Sequence, residues 1–127
     1  KNSFATIDVP TPKIVTHQLK VKSPLLTPTQ TICLLGDSAH LQAWDAKNPI
    51  LLSRKVGEDY FSVSLDLSNA KFPIAYKYGI YDTSKKSFVA FENGNDRILH
   101  DAPSASTSIR VERPQLCKRP IVIAPPL

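Results

Sequence analysis

The chain has 127 residues, 42% of them hydrophobic and 21% charged, with 11 Pro, 4 Gly, 2 Cys, one Trp and no Met. That suits one domain with a modest core and argues against global disorder. The net charge of +5 sits at the ends: residues 1–23 and 104–127 carry +3 each, while 24–103 hold eight basic against nine acidic side chains. Nucleic-acid binding needs concentrated positive charge to displace counterions, and a membrane span needs about 18 apolar residues in a row. The sequence offers neither, so neither partner is expected.

Residues 1–13, with Pro10 and Pro12, read as a linker, because proline removes a backbone donor and fixes φ. Lys1 follows no initiator Met and heads no secretory pattern, so the chain is expected to be a piece of a longer polypeptide. The folded part is predicted over 14–112. His17-Gln18-Leu19-Lys20-Val21-Lys22 alternates polar and apolar residues. Ile32-Cys33-Leu34-Leu35 is a short apolar run, and 38–44 has room for one helical turn. Further strands are expected at 49–53, 87–91, 97–99 and 107–112. Phe61, Val63, Leu65 and Leu67 share one face of a strand, with Ser62, Ser64 and Asp66 on the other. Ile74, Tyr76, Tyr78 and Ile80 repeat that pattern, which leaves Lys77 and Tyr81 on the opposite face. Turn formers cluster at 36–38, 56–59, 68–71, 82–85 and 93–96. Seven or eight short strands at this spacing predict an all-β fold, an antiparallel immunoglobulin-like β-sandwich. Residues 113–127, with Pro114, Pro120, Pro125 and Pro126, read as a proline-rich linker or tail.

Chemistry-bearing residues are sparse. Gly36-Asp37-Ser38, with His40 nearby, superficially matches an esterase motif, but that chemistry needs a serine on an α/β sheet and a triad from distant segments. A plain turn accounts for it. His17, His40 and His100 lie far apart and lack metal-ligand spacing, so no metal and no cofactor is expected. Cys33 reads as a small core residue, and two cysteines make no disulfide framework, which leans towards a reducing compartment. Trp44 is the sole tryptophan, and either a core anchor or a surface role suits it. Phe91 ends a strand and opens the polar turn Glu92-Asn93-Gly94-Asn95-Asp96-Arg97.

The order and spacing of Leu34-Leu35-Gly36-Asp37, Leu41-Gln42-Ala43-Trp44-Asp45 and Pro49-Ile50-Leu51-Leu52-Ser53 form a pattern. It continues through Phe61–Leu67, Ile74-Ala75-Tyr76-Lys77-Tyr78 and Phe91–Arg97. Over about residues 15–100 it resembles the starch-binding domains of carbohydrate-binding module family 20. The resemblance implies a sandwich that binds α-1,4-glucan (starch, glycogen, maltooligosaccharides, cyclodextrin) without catalysis. Its first binding site would fall on Trp44, Lys77 and Phe91, with polar contacts from Glu92, Asn93 and Asn95. Phe91 replaces a usual tryptophan, Asp96 a usual asparagine and Gln42 a common glycine. The family's second site needs tyrosines before the 31–35 strand and in the 54–60 loop. Pro28 and Thr29 occupy the first position, and no aromatic precedes Tyr60 in the second, so that site is expected to be lost or reduced.

The residue chemistry agrees with that assignment. A pyranose has an apolar C–H face that a flat ring buries by dispersion and exclusion of water. Its hydroxyls need partners such as Lys77, Glu92 and Asn95. An open site predicts modest affinity, about 10 μM to 1 mM, and a tether to the catalytic domain of the same chain would raise local substrate concentration. The expected parent is a 4-α-glucanotransferase or another enzyme acting on α-glucans, with no activity in this fragment. The competing expectation is a structural spacer or protein-interaction domain without sugar binding.

Overall fold

The fold is built by strands whose apolar residues recur every second position. In a computed structural model that describes residues 11–22, 26–54, 60–100 and 102–114, eight strands appear among the described residues. They are β1 (His17–Lys22), β2 (Gln30–Gly36), β3 (Ile50–Leu51), β4 (Tyr60–Leu65), β5 (Ile74–Asp82), β6 (Ser87–Phe91), β7 (Arg97–Leu99) and β8 (Ser108–Glu112). The expectations for residues 1–10, the 55–59 loop, and the tail from 115 on, with Cys117, lie outside the described residues.

One sheet has the order β4-β1-β8. The other runs β3-β2-β5, with β6 and β7 both joined to the far side of β5. Between the sheets lie Leu19 and Val21 of β1, Ile32 and Leu34 of β2, Phe61, Val63 and Leu65 of β4, and Ile74, Tyr76 and Tyr78 of β5. Each contributes alternate residues, as a strand with one face on the core must. The run from Thr31 to Gly36 is buried on both faces of β2, which is why it reads as a nearly continuous apolar segment rather than an alternating one.

Three expectations need correction. The sandwich is not wholly antiparallel: β8 pairs with β1 in parallel, Gln18 opposite Ile109 and Lys20 opposite Val111. These strands come from opposite ends of the domain, so no hairpin dictates their relative direction. The strand expected at 49–53 is also shorter. Ile50 and Leu51 pair with β2, and Ser53 then bridges to Ser62 of the other sheet. The chain turns a corner of the sandwich there by changing sheets. Ile80, expected on the core face, is half-buried at an irregularity of the β5–β6 ladder.

Candidate functional site

The site is organised by the outer edge of β5. There β7 pairs with residues 74–76 and β6 with residues 79–82, so the segment 92–96 leaves the sheet between them. Glu92 fills the gap. Its backbone N–H donates to the Tyr78 carbonyl at 2.9 Å, and its carboxylate accepts the Tyr78 N–H at 3.0 Å. Arg97 clamps the same carboxylate with Nε and Nη2, both at 2.8 Å. Glu92 is only 3% exposed. The expectation that its carboxylate meets sugar hydroxyls is therefore corrected: it replaces a missing strand residue and holds the base of the loop. Asn93 and Asn95 are exposed on that loop, as is Asp96.

Phe91 ends β6 directly opposite Gly79, and opposed residues point to the same side of a sheet. That side is the outer face, the one Lys77 shares. Phe91 is 38% exposed, and the Lys77 Nζ lies 5.9 Å from its ring centroid. Phe88 also lies on this face. Its centroid is 4.7 Å from that of Phe91, at an interplanar angle of 61°.

Trp44 reaches the same place from a different element. Gly36 closes β2 without a side chain; a Cβ there would stand 2.7 Å from the Leu41 Cδ1 and 2.8 Å from the Ala75 carbonyl. That close approach lets buried Leu41 anchor the tight turns over 39–44. Ser38 caps them by accepting the His40 N–H at 3.1 Å, so the Ser38 hydroxyl serves the turn. Gln42, Ala43 and Trp44 then all take positive φ, at 70°, 47° and 62°. Beyond the tryptophan, Asp45 accepts the Lys47 N–H at 3.0 Å and the Asn48 side-chain amide at 3.2 Å. These two bonds, the Asn48 one first, hold its carboxyl below the usual carboxylate range. The half-buried Trp44 ends with its ring centroid 5.9 Å from that of Phe91, the planes at 81°.

The structure thus brings Trp44, Lys77 and Phe91 together and moves Glu92 into support. Two contributors were not anticipated: Arg97 as the clamp, and Phe88 beside Phe91. Arg97 also faces Glu112 of β8 at 3.6 Å, and Glu112 accepts the Tyr76 hydroxyl at 2.9 Å and the Tyr78 hydroxyl at 2.6 Å. Among the described residues no group of three or more His, Cys, Asp or Glu could hold a metal ion. His17 is buried and stacked on Phe72. The depression beside Ser38 and His40, about 380 Å³, is lined by Asp37, Asn69, Lys71 and Pro73, and neither Trp44 nor Phe91 lines it.

Among solved structures, the fold is similar to the family 20 module of a maltotetraose-forming amylase from Pseudomonas saccharophila, with a TM-score of 0.60 at 10% identity over 76% of this chain and 98% of that one. It is also similar to a glycoside hydrolase family 15 glucoamylase from Hypocrea jecorina, with a TM-score of 0.63 at 16% identity over 90% of this chain and 18% of the enzyme. A γ-CGTase from alkalophilic Bacillus clarkii matches with a TM-score of 0.60 at 21% identity over 78% of this chain and 15% of the enzyme. The chain thus spans under a fifth of those two enzymes, and at these identities the likeness shows the fold alone. No curated protein sequence matches it. The sequence model of the starch binding domain matches residues 14–110, most of the folded part, and the chain belongs to that family, carbohydrate-binding module family 20.

Proposed function

We propose that this domain binds α-1,4-glucan on Trp44 and Phe91, assisted by Lys77 and the Asn93 and Asn95 amides, and tethers a larger enzyme to its polysaccharide. The observation that carries the reading is the pair of rings. They come from separate elements, stand 5.9 Å apart at 81°, and one of them is 38% exposed. Two angled aromatic faces suit the curved apolar surface of a helical α-glucan better than a flat one, because each ring buries a C–H face by excluding water. The spacer alternative would place the indole in the core, whereas Trp44 is half-buried beside an exposed phenyl ring.

For the parent we propose a 4-α-glucanotransferase. The proline-bearing flanks suit a module joined to a catalytic domain, and the similar solved folds lie within enzymes named as an amylase, a CGTase and a glucoamylase. Assayed with maltotriose, the full-length protein should form longer and shorter oligosaccharides; release of glucose or maltose alone would reject a transferase.

Trp44 reports directly on the site, because it is the only tryptophan. Its fluorescence should change on titration with maltoheptaose or β-cyclodextrin, and Trp44→Ala should abolish retention on granular starch while the fold survives. Full retention by a folded Trp44→Ala chain would reject the platform.

A further inference from the structure

Phe88 and Phe91 are three positions apart, so a regular strand would send them to opposite faces. The ladder prevents this. Ile80 pairs with Ala90, but Tyr81 pairs with Phe88, so Val89 is the extra residue of a bulge. Phe88 is thereby returned to the outer face, where Gly79 leaves room for it: a Cβ at Gly79 would stand 2.7 Å from the Phe88 Cε1. Phe88 is half-buried. Its centroid lies 4.7 Å from that of Phe91, which lies 5.9 Å from that of Trp44. Phe91 is thus the ring shared by both pairs.

Resting on the reading of Trp44 and Phe91 as a sugar platform, we propose that Phe88 lengthens that platform by a third aromatic contact and so makes the site favour longer α-glucans over short ones. A short oligosaccharide lying across Trp44 and Phe91 gains nothing from Phe88. A longer one continues over the phenyl ring and buries further C–H surface there.

The test titrates the 127-residue chain and its Phe88→Leu and Phe88→Ala variants with maltotriose and maltoheptaose, with Trp44→Ala as the reference. Leucine keeps apolar volume above Gly79 but removes the flat face, so it separates loss of the ring from loss of packing. Phe88→Leu should weaken maltoheptaose binding about fivefold and leave maltotriose within about twofold, the size of one aromatic contact. Phe88→Ala should show the same selectivity. Equal weakening of both sugars would make Phe88 a mere support for Phe91 and overturn the proposal, as would no change with either. Failure of the underlying platform reading has a different signature, in which Trp44→Ala binds both sugars as the unmodified chain does, and it overturns both.

Discussion

Ala43 occupies a conformation with φ of 47° between Gln42 and Trp44, which share it. In that region a Cβ crowds the backbone carbonyl at a cost of about 1–2 kcal/mol per residue, and such strain persists only where the surroundings hold it. Here the Ser38 cap and the Asp45 turn fix both ends of the segment. Ala43 is exposed and its methyl fills no core space. Ala43→Gly should therefore raise stability by about 0.5–1 kcal/mol, the relief of strain exceeding the extra chain entropy that glycine loses on folding. Urea unfolding measures this, and a lower midpoint would show that the turn does not take that backbone. Lys77 makes a separate case. Its ammonium stands 5.9 Å from the Phe91 centroid, and Lys77→Ala should weaken maltoheptaose binding by about 1–2 kcal/mol, the value of one charge-assisted hydrogen bond. Unchanged affinity would remove Lys77 from the site. The sequence showed one part of this arrangement, the Gln42 position where glycine is common in the family. The positive φ of Ala43 and Trp44 has no local signature, because both residue types ordinarily avoid it.

At the scale of elements, the loop between β6 and β7 depends on one buried ion pair. The Glu92 side chain is 2% exposed and that of Arg97 23%. Removing Arg97 takes from the buried Glu92 carboxylate the guanidinium that clamps it, at a cost of about 3–5 kcal/mol. Arg97→Ala should lose stability on that scale, whereas the Arg97→Ala/Glu92→Gln double variant should recover part of it. Thermal unfolding of the cycle gives the coupling, and additive losses would show that the clamp contributes nothing of its own. The strands themselves were largely legible. Phe61 to Leu67 and Ile74 to Tyr78 alternate cleanly because one face of each meets the core. The bulge at Val89 was not, since an inserted residue looks like any other member of the run 87–91. Glu92 was misread for a related reason. A carboxylate opening a polar turn looks solvent-facing, and only the gap between β6 and β7 gives it a backbone N–H to satisfy.

At the scale of the whole molecule, β8 joins the sandwich through chemistry that the sequence does not display. Tyr76 and Tyr78 of one sheet send their hydroxyls to Glu112 of the other, two core tyrosines reaching a strand over thirty residues away. These phenols also bear on stability at alkaline pH. Burial, and then repulsion from Glu112, push both above their ordinary 10.0, and burial pushes the Cys33 thiol from 9.0 up to about 12. The unfolded chain therefore releases these protons from about pH 9 to 10 upward, while the folded chain keeps them. Above that range the folded state binds more protons, so stability must fall as pH rises, by at most about 1.4 kcal/mol per pH unit for each group. Below about pH 8 the three groups give almost no slope. Chemical denaturation should show stability independent of them up to about pH 8 and a steepening loss beyond pH 9, with the tyrosinate absorbance of Tyr76 and Tyr78 emerging only as the protein unfolds. Tyr78→Phe removes one proton from this balance and one donor from Glu112, so it should cost about 1 kcal/mol at neutral pH and yet flatten the alkaline slope. A Tyr78→Phe chain whose slope matches that of the unmodified protein would mean that Tyr78 ionises within the folded sandwich, which its hydrogen bond to a carboxylate inside the core opposes.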